Sequence, residues 1–130
     1  MLQISHFTKL YGEKKAVDDL SLCIRPGEIY GFIGHNGAGK TTTLKACCGI
    51  LRPDAGEITV GGISMGQDPL GCKKQLAYIP DNPDLYEFMT GIQFLNFTAD
   101  VFAVPAKQRQ ERIRCYADAF ELTADLAQPI

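Results

Sequence analysis

Tyr30 to Gly49 reads YGFIGHNGAGKTTTLKACCG, and its centre, GHNGAGKT from Gly34 to Thr41, decides how the rest of the chain is read. The centre fits G-x-x-x-x-G-K-[ST] at Gly34, Gly39, Lys40 and Thr41. Glycines at 34, 37 and 39 let the backbone curl so that successive N–H groups point inward, an arrangement that receives phosphate oxygens. Before the loop, Glu28–Ile33 is nearly continuous in apolar residues and is expected to form an interior strand. After it, Leu44, Cys47, Cys48 and Leu51 fall at i, i+3, i+4 and i+7, which predicts a helix from Lys40 to about Leu51 with one apolar face. The start of such a helix adds unpaired N–H donors and the positive end of its dipole. Lys40 is then placed to reach the β- and γ-phosphates of a nucleotide, and Thr41 to offer its hydroxyl to Mg²⁺. A glycine turn with no ligand leaves Lys and Thr behind the last glycine unexplained. His35 fills a variable position, and the loop's work falls to backbone amides.

Working outward, LQISHF and DLSLCI read as strands on either side of the charged turn GEKKA; Leu20, Leu22 and Ile24 alternate with polar residues. GEITVGG is a further strand, and Asp68 is an N-cap with Pro69 at the first helical position. QLAYIP is expected to be another strand, closed by Pro80. After the proline-interrupted loop DNPDLYEFM, Thr90 and Gln93 form a capping box for a helix whose stripe is Ile92, Leu95, Ala99 and Phe102, widened by Phe94 and Phe97. A second helix follows Pro105, with Ile113, Ala117 and Phe120 expected to be buried and Arg109 and Arg112 solvated. The chain thus divides into an α/β part, residues 1–84, and a mostly helical part, residues 85–130.

Bulk properties narrow the function classes. Apolar residues make up 45% and charged residues 22% of the 130, which suits a folded globular chain. Thirteen basic against fifteen acidic residues give a net charge of -2, so no basic field for nucleic acid exists. The five cysteines contain no CxxC pair, and the expectation is reduced, mostly buried thiols of a cytoplasmic protein. The N-terminus alternates polar and apolar residues, unlike a signal peptide, and no apolar run reaches the roughly 20 residues of a membrane span.

At this point the chain resembles the ATP-binding subunit of ABC transporters. The likeness runs through FTKLYGEKKAVDDLSLCIRPGEIYGFIGHNGAGKTTTLKACCGILRPDAGEITVGG and on through LAYIPDNPDLYEFMTGIQFLNFTADVF. It looks most like bacterial multidrug or uncharacterised exporters whose ATPase is a separate subunit. The resemblance implies an α/β P-loop NTPase of the ABC type, truncated, with N-terminal antiparallel strands, a Walker A strand–loop–helix and the start of a helical subdomain. It implies ATP and Mg²⁺ as cofactors, held by Gly34, Asn36, Gly37, Ala38, Gly39, Lys40, Thr41 and Thr42, with Tyr11 stacking on the adenine. Asp81 stands where the family usually carries a glutamine that contacts Mg²⁺. A carboxylate there can still bind the metal but cannot donate an amide hydrogen bond. Residues 83–97 resemble the surface that receives a transmembrane transporter subunit, so the implied location is cytoplasmic, peripheral on the inner face of the membrane. A second ATP-binding subunit is the other implied partner.

The family's LSGGQ-type signature, its second Mg²⁺ aspartate with the adjacent catalytic glutamate (Walker B), and its switch histidine cannot be assigned within these residues. The chain is therefore expected to bind nucleotide at most, with no complete catalytic set. Two other readings compete: a structural fragment that binds no nucleotide, and another P-loop kinase or GTPase. A GTPase calls for an N/T-K-x-D element, which does not occur. An interior strand without its neighbours would also promote self-association of the fragment.

Overall fold

The structure, a computed structural model, describes residues 1–81 and 86–130. It separates into two compact units, Met1–Ile79 and Pro80–Ile130.

In the first unit, strands β1 (Leu2–Tyr11) and β2 (Lys14–Ile24) form a hairpin, with only Gly12 and Glu13 in the turn. Helix α1 (Lys40–Cys47) follows, then β3 (Ala55–Val60), β4 (Ile63–Ser64) and the short helix α2 (Pro69–Lys73). The four strands make one antiparallel sheet in the order β2-β1-β3-β4. One face of it carries the core: Ile4, Phe7, Ile58 and Val60 pack with Ala46 and Cys47 of α1, and with Met65 and Cys72.

Ile4 and Phe7 are three positions apart and would face opposite sides of a regular strand. A bulge reconciles them. From Ile4 to Phe7 the chain advances three residues while β2 retreats only from Leu22 to Leu20, and a matching offset occurs against β3 between Ser5 and Thr8. The extra residue in β1 is accommodated at His6, whose φ is 52°. A second bulge, in β2, centres on Asp19 with φ 53°, and the two side chains pair across the hairpin at 2.7 Å. Gly56 sits against this kink at φ 83°, where a Cβ would overlap the His6 carbonyl.

Two expected strands are not formed. Among the described residues, neither Glu28–Ile33 nor Gln75–Pro80 pairs with any strand. Ile29, Ile33 and Ile79 are 102%, 94% and 89% exposed. A strand exists only through ladder partners, and apolar sequence alone does not supply them. The face of α1 also differs from the expected one. Thr43, Ala46 and Cys47 are buried while Leu44 is exposed, because small side chains let the helix lie close on the sheet. Asp68 caps α2 as expected, accepting from Gly71 N–H at 2.8 Å.

In the second unit, α3 (Gly91–Val101) and α4 (Ala106–Ala119) are followed by a 3-10 turn, Asp125–Ala127. The Thr90–Gln93 capping box is present in both directions. The end of the chain returns to the start of α3, where Thr90 bridges Pro129 and Ile130 N–H donates to Met89 C=O at 3.0 Å. Arg109, expected in solvent, instead ties the two helices together. It pairs with Asp100, donates to Asn96 Oδ1 at 3.3 Å and to Val104 C=O at 3.3 Å, and its side chain is 18% exposed. Conversely Phe120, expected inside, is 69% exposed, and Ala117 is the buried residue of α4.

Candidate functional site

The glycine-rich loop takes its shape from backbone conformations that side chains resist. Gly37 and Gly39 have φ of 83° and 84°. Ala38 N–H donates to His35 C=O at 3.2 Å, which closes the turn. Gly39 is the N-cap of α1 and provides no side chain, so nothing of its own covers the helix start. The first helical bond is Thr43 N–H to Gly39 C=O at 2.8 Å, reinforced by the Thr43 hydroxyl on the same oxygen at 2.9 Å. The N–H groups of Lys40, Thr41 and Thr42 therefore have no intrahelical acceptor, at the positive end of the helix dipole. Lys40 turns back across the loop and donates to Gly34 C=O and to His35 C=O. Its charge is thereby held at the loop. Thr41 is exposed and Thr42 half-buried. The His35 ring bonds to the Asn36 carbonyl at 2.8 Å and has no acidic partner among the described residues.

Gly39 has a second reason to be glycine. A Cβ there would overlap the carbonyl oxygen of Ala16 and lie 2.9 Å from Val17 Cγ2. The loop thus rests directly on β2. Val17 pairs with Lys9 in the hairpin, and Tyr11 pairs with Lys14. Tyr11, 51% exposed at the end of β1, therefore belongs to the same hairpin on which the glycine loop rests.

A second anchor, not anticipated from the sequence, holds β1 at this end. Asp54 accepts from Leu10 N–H at 2.7 Å and from Lys9 Nζ at 3.2 Å, while its own N–H donates to Thr8 C=O at 3.0 Å. The Leu10 N–H, then the Lys9 ammonium, hold the Asp54 carboxyl below its ordinary range. Lys9 also donates to Arg52 C=O at 2.9 Å and lies over the Tyr11 ring, 5.9 Å from its centroid. These partners are more than forty positions apart in the chain, so no local pattern signals them.

Asp81 is exposed and lies in the second unit, apart from the loop's own unit. Of the residues expected to receive a membrane partner, 83–85 fall outside the described residues. In the remainder, Tyr86 gathers Phe88, Phe94 and Phe97 with ring centroids 5.6, 6.2 and 5.9 Å away, and Phe88 is 81% exposed. No helix among the described residues is long and apolar enough to cross a membrane. The cysteines are free. Cys47 and Cys72 are buried, Cys48 is half-buried, and Cys23 and Cys115 are exposed, so burial is less general than expected. Burial pushes the Cys47 thiol up to about 11, with Cys48 adding to the effect.

Comparison with known proteins agrees with this geometry. The family model described as ABC transporter matches residues 17–130. An uncharacterised ABC transporter ATP-binding protein of Nostoc sp. is 42% identical over 111 residues, which is 83% of this chain and 32% of the relative. The probable multidrug ABC transporter ATP-binding protein YbhF of Escherichia coli is 32% identical over 122 residues, 94% of this chain and 21% of the relative. The chain thus spans about a third or less of the length of these two relatives. A solved ATP-binding subunit of an ABC transporter superposes with a TM-score of 0.90 at 29% identity, covering 98% of this chain and 53% of that one. A structure described as a dimeric bacterial ABC transporter cassette, MJ0796, shares the fold with a TM-score of 0.82 at 22% identity, covering 98% of this chain and 60% of that one. With the loop, the helix start and the hairpin in their places, the chain belongs to the ABC transporter family and has the α/β P-loop fold of its ATP-binding subunits.

Proposed function

We propose that these residues form the part of an ABC ATPase that holds Mg-ATP, and that the whole protein couples ATP hydrolysis to transport across a membrane. The observation that carries the reading is the loop itself. Left-handed Gly37 and Gly39, three unpaired N–H groups and the Lys40 ammonium converge where a chain of phosphates is best bound. Gly34, Asn36, Gly37, Ala38 and Gly39 supply the backbone wall, and Lys40 bridges the outer phosphates. Thr41 offers its oxygen to Mg²⁺, Thr42 lines the inner phosphate, and Tyr11 takes the base. Mg²⁺ supplies neutralisation of the developing phosphate charge when bound. The donor set fits it in kind, since a threonine hydroxyl and phosphate oxygens are hard ligands.

Turnover also needs a water-activating carboxylate and a partner's signature segment, which these residues do not include by assignment. The 130-residue chain alone is therefore proposed to bind nucleotide without sustained hydrolysis. Its partners in the whole protein are a transmembrane subunit, received at 83–97, and a second ATP-binding subunit, in keeping with the dimer described for MJ0796. The site would lie in the cytoplasm, on the inner face of the membrane. Segments 28–33 and 75–80, paired with no strand among the described residues and exposing Ile29, Ile33 and Ile79, support self-association of the isolated chain.

Titration with Mg-ATP tests the central reading. Wild type is expected to bind, and Lys40→Ala to bind about tenfold or more weakly, the scale of lost charge-assisted hydrogen bonds. Equal affinity in the two proteins rules the reading out. Sustained phosphate release by the purified wild-type chain would contradict the inactivity.

A further inference from the structure

Lys9 remains unexplained by phosphate binding. Its side chain is 15% exposed, against 57% for Lys15 on the neighbouring strand. Two of the three ammonium donors are committed, one to Arg52 C=O at 2.9 Å and one to Asp54, whose Oδ2 lies 3.1 Å away. Asp54 is itself fixed on β1 by the Leu10 N–H and the Thr8 carbonyl, so the cation has little freedom. Lys9 and Tyr11 stand two positions apart on β1, and the ammonium lies over the ring. Tyr11 is nonetheless half-exposed. One side of the aromatic is backed by a fixed charge, and the rest is open beside a hairpin on which the glycine loop rests through Val17.

We propose that Lys9 is a positioning residue for base recognition. Its ammonium, locked by Asp54 and the Arg52 carbonyl, braces and polarises one face of Tyr11, so that the other face receives the flat base of the nucleotide. The proposal rests on the nucleotide-binding reading. Two physical effects act together. A cation over one face withdraws π density from the ring, which favours stacking of an electron-rich purine on the opposite face. A ring held in place also loses less conformational freedom when the base arrives. With two of its three donors held by Arg52 and Asp54, the ammonium is fixed over the ring, and its action is on the ring, not on phosphate.

The test compares Mg-ATP with Mg-tripolyphosphate, which has phosphates but no base, in calorimetric titrations of the 130-residue chain. Lys9→Met is expected to weaken ATP binding about three- to tenfold, the range of a partly desolvated cation–π contact, and to leave tripolyphosphate unchanged. In a Tyr11→Ala background the same substitution is expected to have no further effect. Lys9→Arg, which keeps cation and ion pair, is expected to stay within about twofold of wild type. If Lys9→Met does not fold, Lys9→Gln retains the stem and a donor for Arg52 without the charge, and takes its place. Equal losses for both ligands, no loss for ATP, an undiminished loss without Tyr11, or a loss in Lys9→Arg equal to that in Lys9→Met each overturn the proposal. No ATP binding by wild type, or binding that Lys40→Ala leaves intact, overturns the nucleotide reading itself and this proposal with it.

Discussion

Gly37 and Gly39 have nearly the same backbone conformation but different surroundings, and this difference separates their mutants. A Cβ at Gly37 meets nothing within 4 Å, so Gly37→Ala bears only left-handed strain, about 1–2 kcal/mol. At Gly39 the same Cβ overlaps the Ala16 carbonyl, so Gly39→Ala must also push the loop off β2. Thermal denaturation is expected to show the larger loss for Gly39→Ala, with loss of nucleotide binding accompanying it. Asp54 makes a prediction of the opposite kind, in pH. Its folded carboxyl titrates below the ordinary 3.8, so its contribution is complete above that value and is lost as pH falls through the folded pKa. Asp54→Asn should flatten that acid limb of the stability profile, measured by denaturant titration at successive pH values. Lys40, Thr41 and the three glycines were legible in the sequence because a contiguous motif encodes them. Lys9 and Asp54 were not, because their pairing is created by the fold.

At the scale of elements, the β1–β2 hairpin shows what alternation can and cannot reveal. Leu20, Leu22 and Ile24 on β2 follow the period of two, and their inward lean was readable. On β1 the strand was readable but its register was not. Ile4 and Phe7 share a face only through the bulge at His6, which polar residues tolerant of positive φ permit without announcing. Phe7 is 0% exposed at the centre of this arrangement, so Phe7→Ala should cost about 3–5 kcal/mol in urea unfolding. The capping box at Thr90 was legible for the reason that Lys40 was, since all its parts lie within one turn. Glu28–Ile33 marks the opposite limit. Its residues suit a strand, yet strand formation depends on partners that no property of the segment can specify.

For the whole molecule, family and fold were legible because motif order constrains far more than any single motif. The distribution of exposed apolar surface was legible only in outline. Ile29, Ile33 and Ile79 stand almost wholly in solvent next to backbone that makes no ladder, which is the condition for pairing between copies. Sedimentation velocity across a concentration series should show the chain shifting from monomer to larger species. Polar replacements at Ile29 and Ile33 should suppress that shift, and a monodisperse wild type at all concentrations would refute it.

The contact of Gly39 with Ala16 and Val17 has a consequence for how a ligand is measured. Loop and aromatic are mounted on the same two-stranded arm, with the aromatic at its tip and the loop's contact only two to three residues further along β2. The arm acts as a gauge, with its span set by hydrogen-bond register. On the proposed reading, a molecule that seats its phosphates at the loop would have to present its base at the distance of Tyr11. Discrimination by length would, on that nucleotide reading, come from the hairpin's register before any side chain reads the chemistry of the base.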